Sequence, residues 1–295
     1  MSVMNGCEED LDQCIICGTC SRVCPRTDPF TVMRDLVYID RGMCLNEAFL
    51  KTGFNRFPAE DRGVPPAWSG DDACVMLGCV VNAEAPFIEY AASRAMEAVG
   101  VRAMRLPGEI CCLHPVMFMD MPETEKRARR TAMLSGAGGR GIVTLCGGCC
   151  EGLEAMDLKV SHIISFMHRR LDRLPAFPRR IRVGMEPGCS VDHLSGEFRE
   201  VLEAMNCEIV NSTKGCCGKI APVRIPLMRE REAECEGAEV IVVACPNCFT
   251  KFDGWDGGLP VVHLAELIAT AAGHPESLAC HSIPVPDLTR LRPYL

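Results

Sequence analysis

The cysteines of this chain follow one order twice, and this repetition constrains the fold more than any other feature. Each copy has a single cysteine, then a vicinal pair, then a C-x2-C pair, so the chain contains an internal duplication. Two similar domains are therefore expected, each bringing five thiols together. The first cysteine set is Cys79, Cys111, Cys112, Cys146 and Cys149, and the second cysteine set is Cys189, Cys216, Cys217, Cys245 and Cys248.

The residues around these cysteines alternate between extended and helical patterns. Short apolar runs lead to the cysteines of each copy, with helical periodicity between them. This alternation predicts an α/β fold with parallel strands, whose carboxyl ends meet at the edge where such sheets bind ligands. The predicted strands are Ala73–Leu77, Val101–Leu106 and Gly141–Leu145 in the first copy, and Ile181–Met185, Glu208–Val210 and Ala238–Ala244 in the second.

Two helices are predicted between these strands. The first runs from Pro86 to Val99, because proline suits a first helical turn and Gly100 suits the end. The second lies near Glu197–Met205. One face of the first helix is apolar and is expected to be buried, namely Ile88, Ala91, Ala95, Met96 and Val99.

A third cysteine motif stands near the N-terminus and reads C-x2-C-x2-C-x3-C-P. This spacing is typical of bacterial ferredoxins, because two-residue gaps wrap three thiolates around one face of a 4Fe–4S cluster. Zinc is the less favoured alternative, since zinc sites use paired C-x2-C units. The predicted ligands are Cys14, Cys17, Cys20 and Cys24. With no second run of this kind in the chain, Cys7 and Cys44 are the alternatives to Cys24 as fourth ligand.

The number of thiols in each duplicated set limits the metal that it can bind. Five thiolates are too many for one tetrahedral zinc ion and exceed the ligand number of a cubane 4Fe–4S cluster. The spacing alone thus indicates two equivalent thiolate-rich metal sites of iron–sulfur type. Structural zinc at the C-x2-C pairs, with the other cysteines in the core, is the alternative.

The motifs around the second set resemble the CCG domains of heterodisulfide reductase B subunits. They are Pro187-Gly188-Cys189, Cys216-Cys217-Gly218, Cys245-Pro246-Asn247-Cys248 and, resembling that family's C-terminal helix, Pro260-Val261-Val262-His263-Leu264. The resemblance covers roughly residues 72–273, and the N-terminal run resembles the ferredoxin-type C subunit. The order of the two parts is similar to that of a C–B fusion, as in the D subunit of the membrane-linked enzyme.

This resemblance implies cofactors and an activity. Each five-cysteine set would bind a noncubane 4Fe–4S cluster, in addition to the ferredoxin-type 4Fe–4S cluster at the N-terminus. The chain would be an oxidoreductase subunit that reduces a disulfide of the coenzyme M–coenzyme B type, or oxidises the thiols. A flavoprotein or another iron–sulfur subunit would donate electrons, because Leu77-Gly78-Cys79 is not a dinucleotide-binding fingerprint.

One departure from the family pattern supports a second hypothesis. Leu113 and His114 follow the first vicinal pair, where the family pattern has glycine. This change modestly favours an electron-transfer subunit of a flavin dehydrogenase for glycolate, lactate, glycerol phosphate or succinate, with no disulfide substrate. The complete set of ten cysteines favours the disulfide enzyme.

Other polar residues have both functional and structural interpretations. His114 and His193 could donate a proton to a product thiolate, although a structural role is favoured. Lys214, Lys219 and Lys251 are either surface residues or contacts to an anionic substrate. The basic run Lys126, Arg127, Arg129 and Arg130 is expected to be an exposed helix face. Most of the remaining cysteines are expected in the core: Cys74, Cys150, Cys207, Cys235 and Cys280.

Proline and glycine positions divide the chain. The predicted parts are a ferredoxin-like segment (1–52), a linker (53–71), the first CCG domain (72–176), the second CCG domain (177–283) and an extended tail (284–295).

Composition excludes several other classes. With 295 residues, 21 cysteines and a net charge of −8, the chain is too long for a typical secreted disulfide scaffold and too acidic for nucleic acid as a main partner. Its N-terminus has no signal-peptide pattern, and no apolar run approaches the length of a membrane span. A cytoplasmic protein without direct membrane insertion is expected, with a membrane-anchor subunit allowed as a partner.

Overall fold

The structure is a computed structural model that describes residues 47–52, 54, 56–114, 123–212, 217, 233–254 and 258–290. Across these ranges the fold is α/β, with two four-stranded sheets whose strands all pair in parallel. The strand orders are β2-β1-β3-β4 and β6-β5-β7-β8, so the second sheet repeats the topology of the first. The predicted fold class, with two duplicated parallel α/β domains, is confirmed.

The first sheet and its helices come before residue 170. They comprise α1 Glu47–Thr52, β1 Ala73–Met76, α2 Gly78–Ala83, α3 Phe87–Ala98, β2 Ala103–Arg105, α4 Glu123–Ala137, β3 Gly141–Thr144, α5 Gly147–Glu154, β4 Val160–His162 and α6 Ile163–His168. The second sheet and its helices comprise β5 Ile181–Glu186, α7 Ser195–Ala204, β6 Cys207–Ser212, β7 Val240–Val243, α8 Pro246–Asp253, β8 Val261–His263 and α9 Leu264–Ala271. Short 3₁₀ turns occupy Leu171–Arg173, Cys189–Leu194 and Glu276–Cys280.

One central strand of each sheet, β1 and β7, is apolar along its whole length. Every residue of β1 and of β7 is buried, without the alternation of a strand that has one face in water. Parallel strands covered by helices on both faces require this continuous apolar pattern. All six predicted strands are confirmed, and each end agrees to within two residues.

The fourth strand of each sheet was missed in the sequence. Both β4 and β8 are only three residues long, which is too short for a period-two pattern to stand out. Each pairs with the strand that precedes a C-x2-C pair, and each leads directly into a helix.

Helix α3 confirms the predicted apolar face and joins the two copies. Its residues Ile88, Ala91, Ala95 and Met96 are fully buried, and Gly100 follows the helix with a φ of +73°. The helix packs against α9 of the second copy, while α6 of the first copy packs against α7 of the second. Because α3 corresponds to α7 and α6 to α9, this packing is reciprocal between the copies.

Candidate metal centre

Four cysteines stand at the carboxyl ends of strands. Cys79 follows β1, Cys146 follows β3, Cys189 follows β5 and Cys245 follows β7. Since the carboxyl ends of parallel strands meet at one edge of a sheet, each sheet carries two of these cysteines at the same edge. The sequence pattern predicts this placement.

The two C-x2-C pairs begin helices in the same way. Cys146 and Cys245 are the N-cap residues of α5 and α8, and both have extended backbones with φ of −118° and −134°. This extended residue turns the chain sharply into the helix, so Cys149 and Cys248 lie on the first turn beside the capping cysteine. In each pair the two thiols are hydrogen-bonded to each other.

The first cysteine set forms a series of thiol contacts. The Sγ atoms of Cys79 and Cys111 are 3.3 Å apart, and the thiol of Cys111 is hydrogen-bonded to that of Cys112. Cys112 contacts Cys149, which contacts Cys146. The structure therefore brings all five predicted members of the first set together, and all except the half-buried Cys79 are buried.

The second set is described in part, because Cys216 lies outside the described residues. The thiol of Cys248 is hydrogen-bonded to the thiols of Cys217 and Cys245. Cys189 is half-buried. Its neighbour Gly188 lies close to Cys245 and Cys248. A Cβ atom added at Gly188 would lie 3.1 Å from the Cβ of Cys245.

The two sets meet at one pair of sulfurs. Cys146 Sγ lies 3.8 Å from Cys245 Sγ, and the side-chain amide of Asn247 donates to Cys146 Sγ over 3.9 Å. Eight thiols thus follow one another across both copies, and we call them the cysteine row: Cys79, Cys111, Cys112, Cys149, Cys146, Cys245, Cys248 and Cys217. Among the residues that the structure describes, no three histidine, cysteine or acidic side chains surround a point as they would around a single metal ion.

Hydrogen bonding within the cysteine row separates the acidities of its thiols. Hydrogen bonds from Cys146 and then Cys248 hold the pKa of Cys245 well below its ordinary value. Those from Cys112 to Cys111, and from Cys248 to Cys217, raise the pKa of the donating thiols, and burial adds to the effect. These hydrogen bonds therefore favour the thiolate of Cys245 and the neutral thiols of Cys112 and Cys248. A bound metal would favour thiolates throughout, because metal ligation deprotonates thiols.

The loop after the first vicinal pair keeps a glycine-like backbone without a glycine. Leu113 has a φ of +60°, in the left-handed region that favours glycine. Its backbone N–H donates to Cys111 Sγ over 3.4 Å, and its side chain is buried. The departure from the family pattern at Leu113 therefore leaves the turn in a glycine-like conformation and adds an apolar side chain beneath the cysteines.

A buried carboxylate holds the turn before Cys79. Glu109 Oε1 accepts from the backbone N–H of Gly78 over 2.6 Å and from the amide of Asn82 over 3.3 Å. Burial raises the pKa of Glu109 to about 7, against the opposing effect of the Gly78 hydrogen bond and of Arg105. Glu109 could not be identified from the sequence, because no spacing distinguishes it from a surface acid.

The basic run in α4 differs from the predicted exposed face at one position. Arg127 and Arg130 are exposed and Lys126 is half-buried, but Arg129 is buried. The Arg129 guanidinium donates to the carbonyl oxygen of Cys111 over 3.3 Å. Its side chain leaves the exposed face because this carbonyl at the vicinal pair gives the guanidinium a buried acceptor.

The two singled-out histidines have different surroundings. His114 is buried, and its Nε2 lies 2.9 Å from Glu151 Oε2, which agrees with the favoured structural role. His193 is exposed in the 3₁₀ turn after β5. Lys251 is half-buried in α8. The other two lysines and the four N-terminal cysteines, together with Cys7 and Cys44, lie outside the described residues: Lys214, Lys219, Cys14, Cys17, Cys20 and Cys24.

Comparison with protein families agrees with the duplicated architecture. The CCG family, described as a cysteine-rich domain, matches this chain twice, at residues 74–154 and 183–253. The chain belongs to this family. The two matched ranges contain the single cysteine, the vicinal pair and the C-x2-C pair of each set.

Two curated proteins are similar to this chain over most of their own length. The B subunit of the ferredoxin/F(420)H(2)-dependent CoB-CoM heterodisulfide reductase of Methanosarcina acetivorans is 28% identical over 262 residues, covering 66% of this chain and 87% of the relative. The B subunit of the ferredoxin:CoB-CoM heterodisulfide reductase of Methanosarcina mazei is 27% identical over 265 residues, covering 68% and 88%.

A third relative matches a shorter stretch. A probable membrane-anchored ferredoxin of Chromohalobacter salexigens is 30% identical over 146 residues, which is 41% of this chain and 22% of that protein. In the part of the CCG chain that the structure describes, no helix combines the length and the apolar character that crossing a bilayer requires.

Proposed function

We propose that this chain is the iron–sulfur subunit of a heterodisulfide reductase-type complex. It would reduce a small-molecule disulfide, of the coenzyme M–coenzyme B type, or oxidise the corresponding thiols. The single observation that carries the proposal is the cysteine row, in which two equivalent thiol sets meet at Cys146 and Cys245. The two Methanosarcina relatives, which match this chain over most of their length, support the same class.

The donor set fits iron–sulfur clusters better than single ions. The described thiols are soft ligands in an apolar setting, and they follow one another in a row instead of enclosing one point. A cluster with several iron atoms spreads its thiolate ligands over more than one metal, which suits a row. Each set would hold a noncubane 4Fe–4S cluster, and Cys14, Cys17, Cys20 and Cys24 would hold a ferredoxin-type 4Fe–4S cluster.

The bound clusters would supply one-electron steps, so that two neighbouring sites could together deliver the two electrons that a disulfide requires. The protein's own contribution is to place and stabilise the thiolates. Arg129, at the carbonyl of Cys111, sets a buried positive charge beside the first set, and such a charge favours thiolates over thiols. Glu109 and Leu113 fix the two turns that present Cys79 and Cys111.

Electrons must reach these sites from another protein. We propose a flavoprotein or another iron–sulfur protein as the donor, with the N-terminal cluster as the point of entry. The rival function is an electron-transfer subunit of a flavin dehydrogenase with no disulfide substrate. The identity of the subunit that co-purifies with this chain separates the two.

The test is anaerobic purification followed by iron and sulfide analysis. Three four-iron clusters give about 12 iron atoms per chain. About four iron atoms together with zinc would contradict the proposed pair of noncubane clusters. With the iron content established, addition of the coenzyme disulfide or of its thiols should change the paramagnetic signal of the duplicated sites. A protein that is full of iron but insensitive to the disulfide and the thiols would favour the rival function.

A further inference from the structure

Two histidines occupy equivalent positions in the two copies, at the end of β4 and of β8. His162 is the N-cap of α6, where its Nδ1 accepts from the backbone N–H of Ile164 over 3.3 Å. His263 is the N-cap of α9, where its Nδ1 accepts from Ala265 over 3.2 Å. Both side chains are at most 1% exposed. Serine, threonine, asparagine or aspartate is the usual N-cap residue. A histidine differs from all four because, while Nδ1 caps the helix, Nε2 on the far side of the ring can make a hydrogen bond elsewhere.

The second nitrogen of His263 reaches across to the other copy. Its Nε2 lies 3.0 Å from the carbonyl oxygen of Leu145, the residue before Cys146. Because Nδ1 accepts a hydrogen bond, the proton is on Nε2, which donates to this carbonyl. A backbone N–H to Glu266 Oε2 bond of 3.0 Å completes the capping box and fixes the position of His263.

His162 lies at the equivalent place in the first copy but does not complete the equivalent hydrogen bond. It interacts with the carbonyl of Ala244, the residue before Cys245, but Nε2 stays outside hydrogen-bonding geometry. Burial lowers the pKa of His162 to about 3 and also lowers that of His263, so both rings stay neutral near pH 7. A neutral His263 ring keeps the same tautomer, so its Nε2 donor stays directed at the carbonyl of Leu145.

We propose that His263, with His162 as its counterpart, is a positioning residue for the cysteine row. Each caps a helix in its own copy and reaches the strand end that carries the C-x2-C pair of the other copy. Together they fix the separation of Cys146 and Cys245, and with it the relation between the two metal sites. This inference rests on the proposed function for its effect on clusters, and on the structure alone for its effect on the two thiols.

Two substitutions of His263 separate its helix-capping hydrogen bond (the cap) from its hydrogen bond to the carbonyl of Leu145 (the bridge). In His263→Asn the side-chain oxygen replaces Nδ1 and keeps the cap, but the side chain is too short to reach Leu145. In His263→Gln the amide nitrogen replaces Nε2 and keeps the bridge, while the cap is lost. His168→Asn is the matched control, because His168 is a partly exposed histidine paired with Glu200.

The first measurement is the paramagnetic spectrum and midpoint potential of the full chain, purified anaerobically. We expect His263→Asn to change both, and His263→Gln and His168→Asn to retain the wild-type values, with a lower thermal midpoint in His263→Gln. A wild-type spectrum and potential in His263→Asn would overturn the inference. So would equal perturbation by the Asn and Gln variants.

The second measurement is independent of iron. The full chain is stripped of metal and oxidised with diamide, which takes two electrons and two protons from a pair of thiols as their disulfide forms. Mass spectrometry then gives the ratio of Cys146–Cys245 to Cys79–Cys111 disulfide. We expect His263→Asn to lower this ratio several-fold and His263→Gln to keep the wild-type ratio. An unchanged ratio in His263→Asn would overturn the inference. If the wild-type chain binds no iron and the disulfide ratios of the variants still follow this pattern, the proposed function is refuted but the inference about His263 stands.

Discussion

Cys146 Sγ and Cys245 Sγ lie 3.8 Å apart, although 99 positions separate the two residues in the chain. They are equivalent members of the two copies, each placed at the start of a helix by the strand before it. A contact between equivalent positions means that the carboxyl edges of the two sheets face each other. The two thiol sets consequently form one site with two halves.

Loss of one predicted ligand should empty one half of this site. In Cys112→Ala or Cys217→Ala we expect about four iron atoms fewer per chain, because each thiol belongs to a single set. Iron analysis of the anaerobically purified protein checks this. The control is Cys207→Ala, since Cys207 is buried at the start of β6 and burial raises its pKa to about 12, which makes it an inert core thiol. Full iron content in both ligand variants would refute the assignment.

The close approach of Gly78 to a thiol predicts a selective loss of iron. Gly78 has a φ of +78°, and a Cβ atom there would lie 2.8 Å from Cys149 Sγ. Gly139 has a similar φ of +82° but open space around it. Both Gly78→Ala and Gly139→Ala should cost about 1 kcal/mol of backbone strain, but only Gly78→Ala should release iron. Equal iron contents in the two variants would show that Cys149 tolerates the added methyl group.

The backbone of Leu113 predicts an inverted order of stabilities. Alanine normally stabilises a chain relative to glycine, but at a φ of +60° glycine avoids the left-handed penalty. We expect Leu113→Gly to be more stable than Leu113→Ala by about 1 kcal/mol in denaturant unfolding. At Leu153, which is buried within α5, the order should be the normal one. The same order at both positions would mean that the loop relaxes out of the left-handed region.

A buried ion pair predicts a loss of stability at alkaline pH. His281 Nε2 lies 2.9 Å from Glu266 Oε1, and both side chains are inaccessible to solvent. Burial alone would lower the pKa of His281, but the charge and hydrogen bond of Glu266, together with Asp253 and a backbone hydrogen bond to Val261, outweigh burial and raise this pKa above 6.5. The stabilisation by the charged histidine is therefore complete below pH 6.5 and is lost as the pH rises through the raised value.

The same pair has an acidic limit and a direct test. Burial alone would raise the pKa of Glu266, but the charge and hydrogen bond of His281, together with hydrogen bonds from His263 and Ser277, outweigh burial and lower it. Part of the stabilisation is therefore lost as the pH falls below about 4.5. His281→Gln should cost about 3 kcal/mol near pH 6 and should flatten the decline above pH 6.5, as measured by urea unfolding between pH 6 and 9. His168→Gln, in a more exposed pair, should cost less than about 1 kcal/mol. A variant at His281 that declines as steeply as the wild type would place the titrating group elsewhere.

Much of the fold could be predicted because its determinants are local. Apolar runs such as Ala73–Leu77 are buried on both faces, and the period of α3 matches the face that it buries. The convergence of the first cysteine set follows from the rule that parallel strands end at one edge. The repeated order of cysteines carried this information twice.

The residues that sequence reasoning missed act over long distances. Glu109 is defined by its contact with Gly78, and Arg129 by its contact with Cys111, so neither has a periodic pattern of its own. His162 and His263 did leave a signal, because both stand in a V-x-H sequence just before a helix. Their bonds to the other copy depend on how the two sheets meet, which no single segment encodes.

The reciprocal packing of α3 on α9 and of α6 on α7 has a consequence for the origin of this architecture. A single copy would leave both of its helix faces uncovered, and a second identical chain related by a two-fold axis would cover them with the same contacts. The gene fusion of such a dimer yields two halves that no longer need to be identical. Leu113 beside the first vicinal pair and Gly218 beside the second are a difference that a dimer of two identical chains could not have.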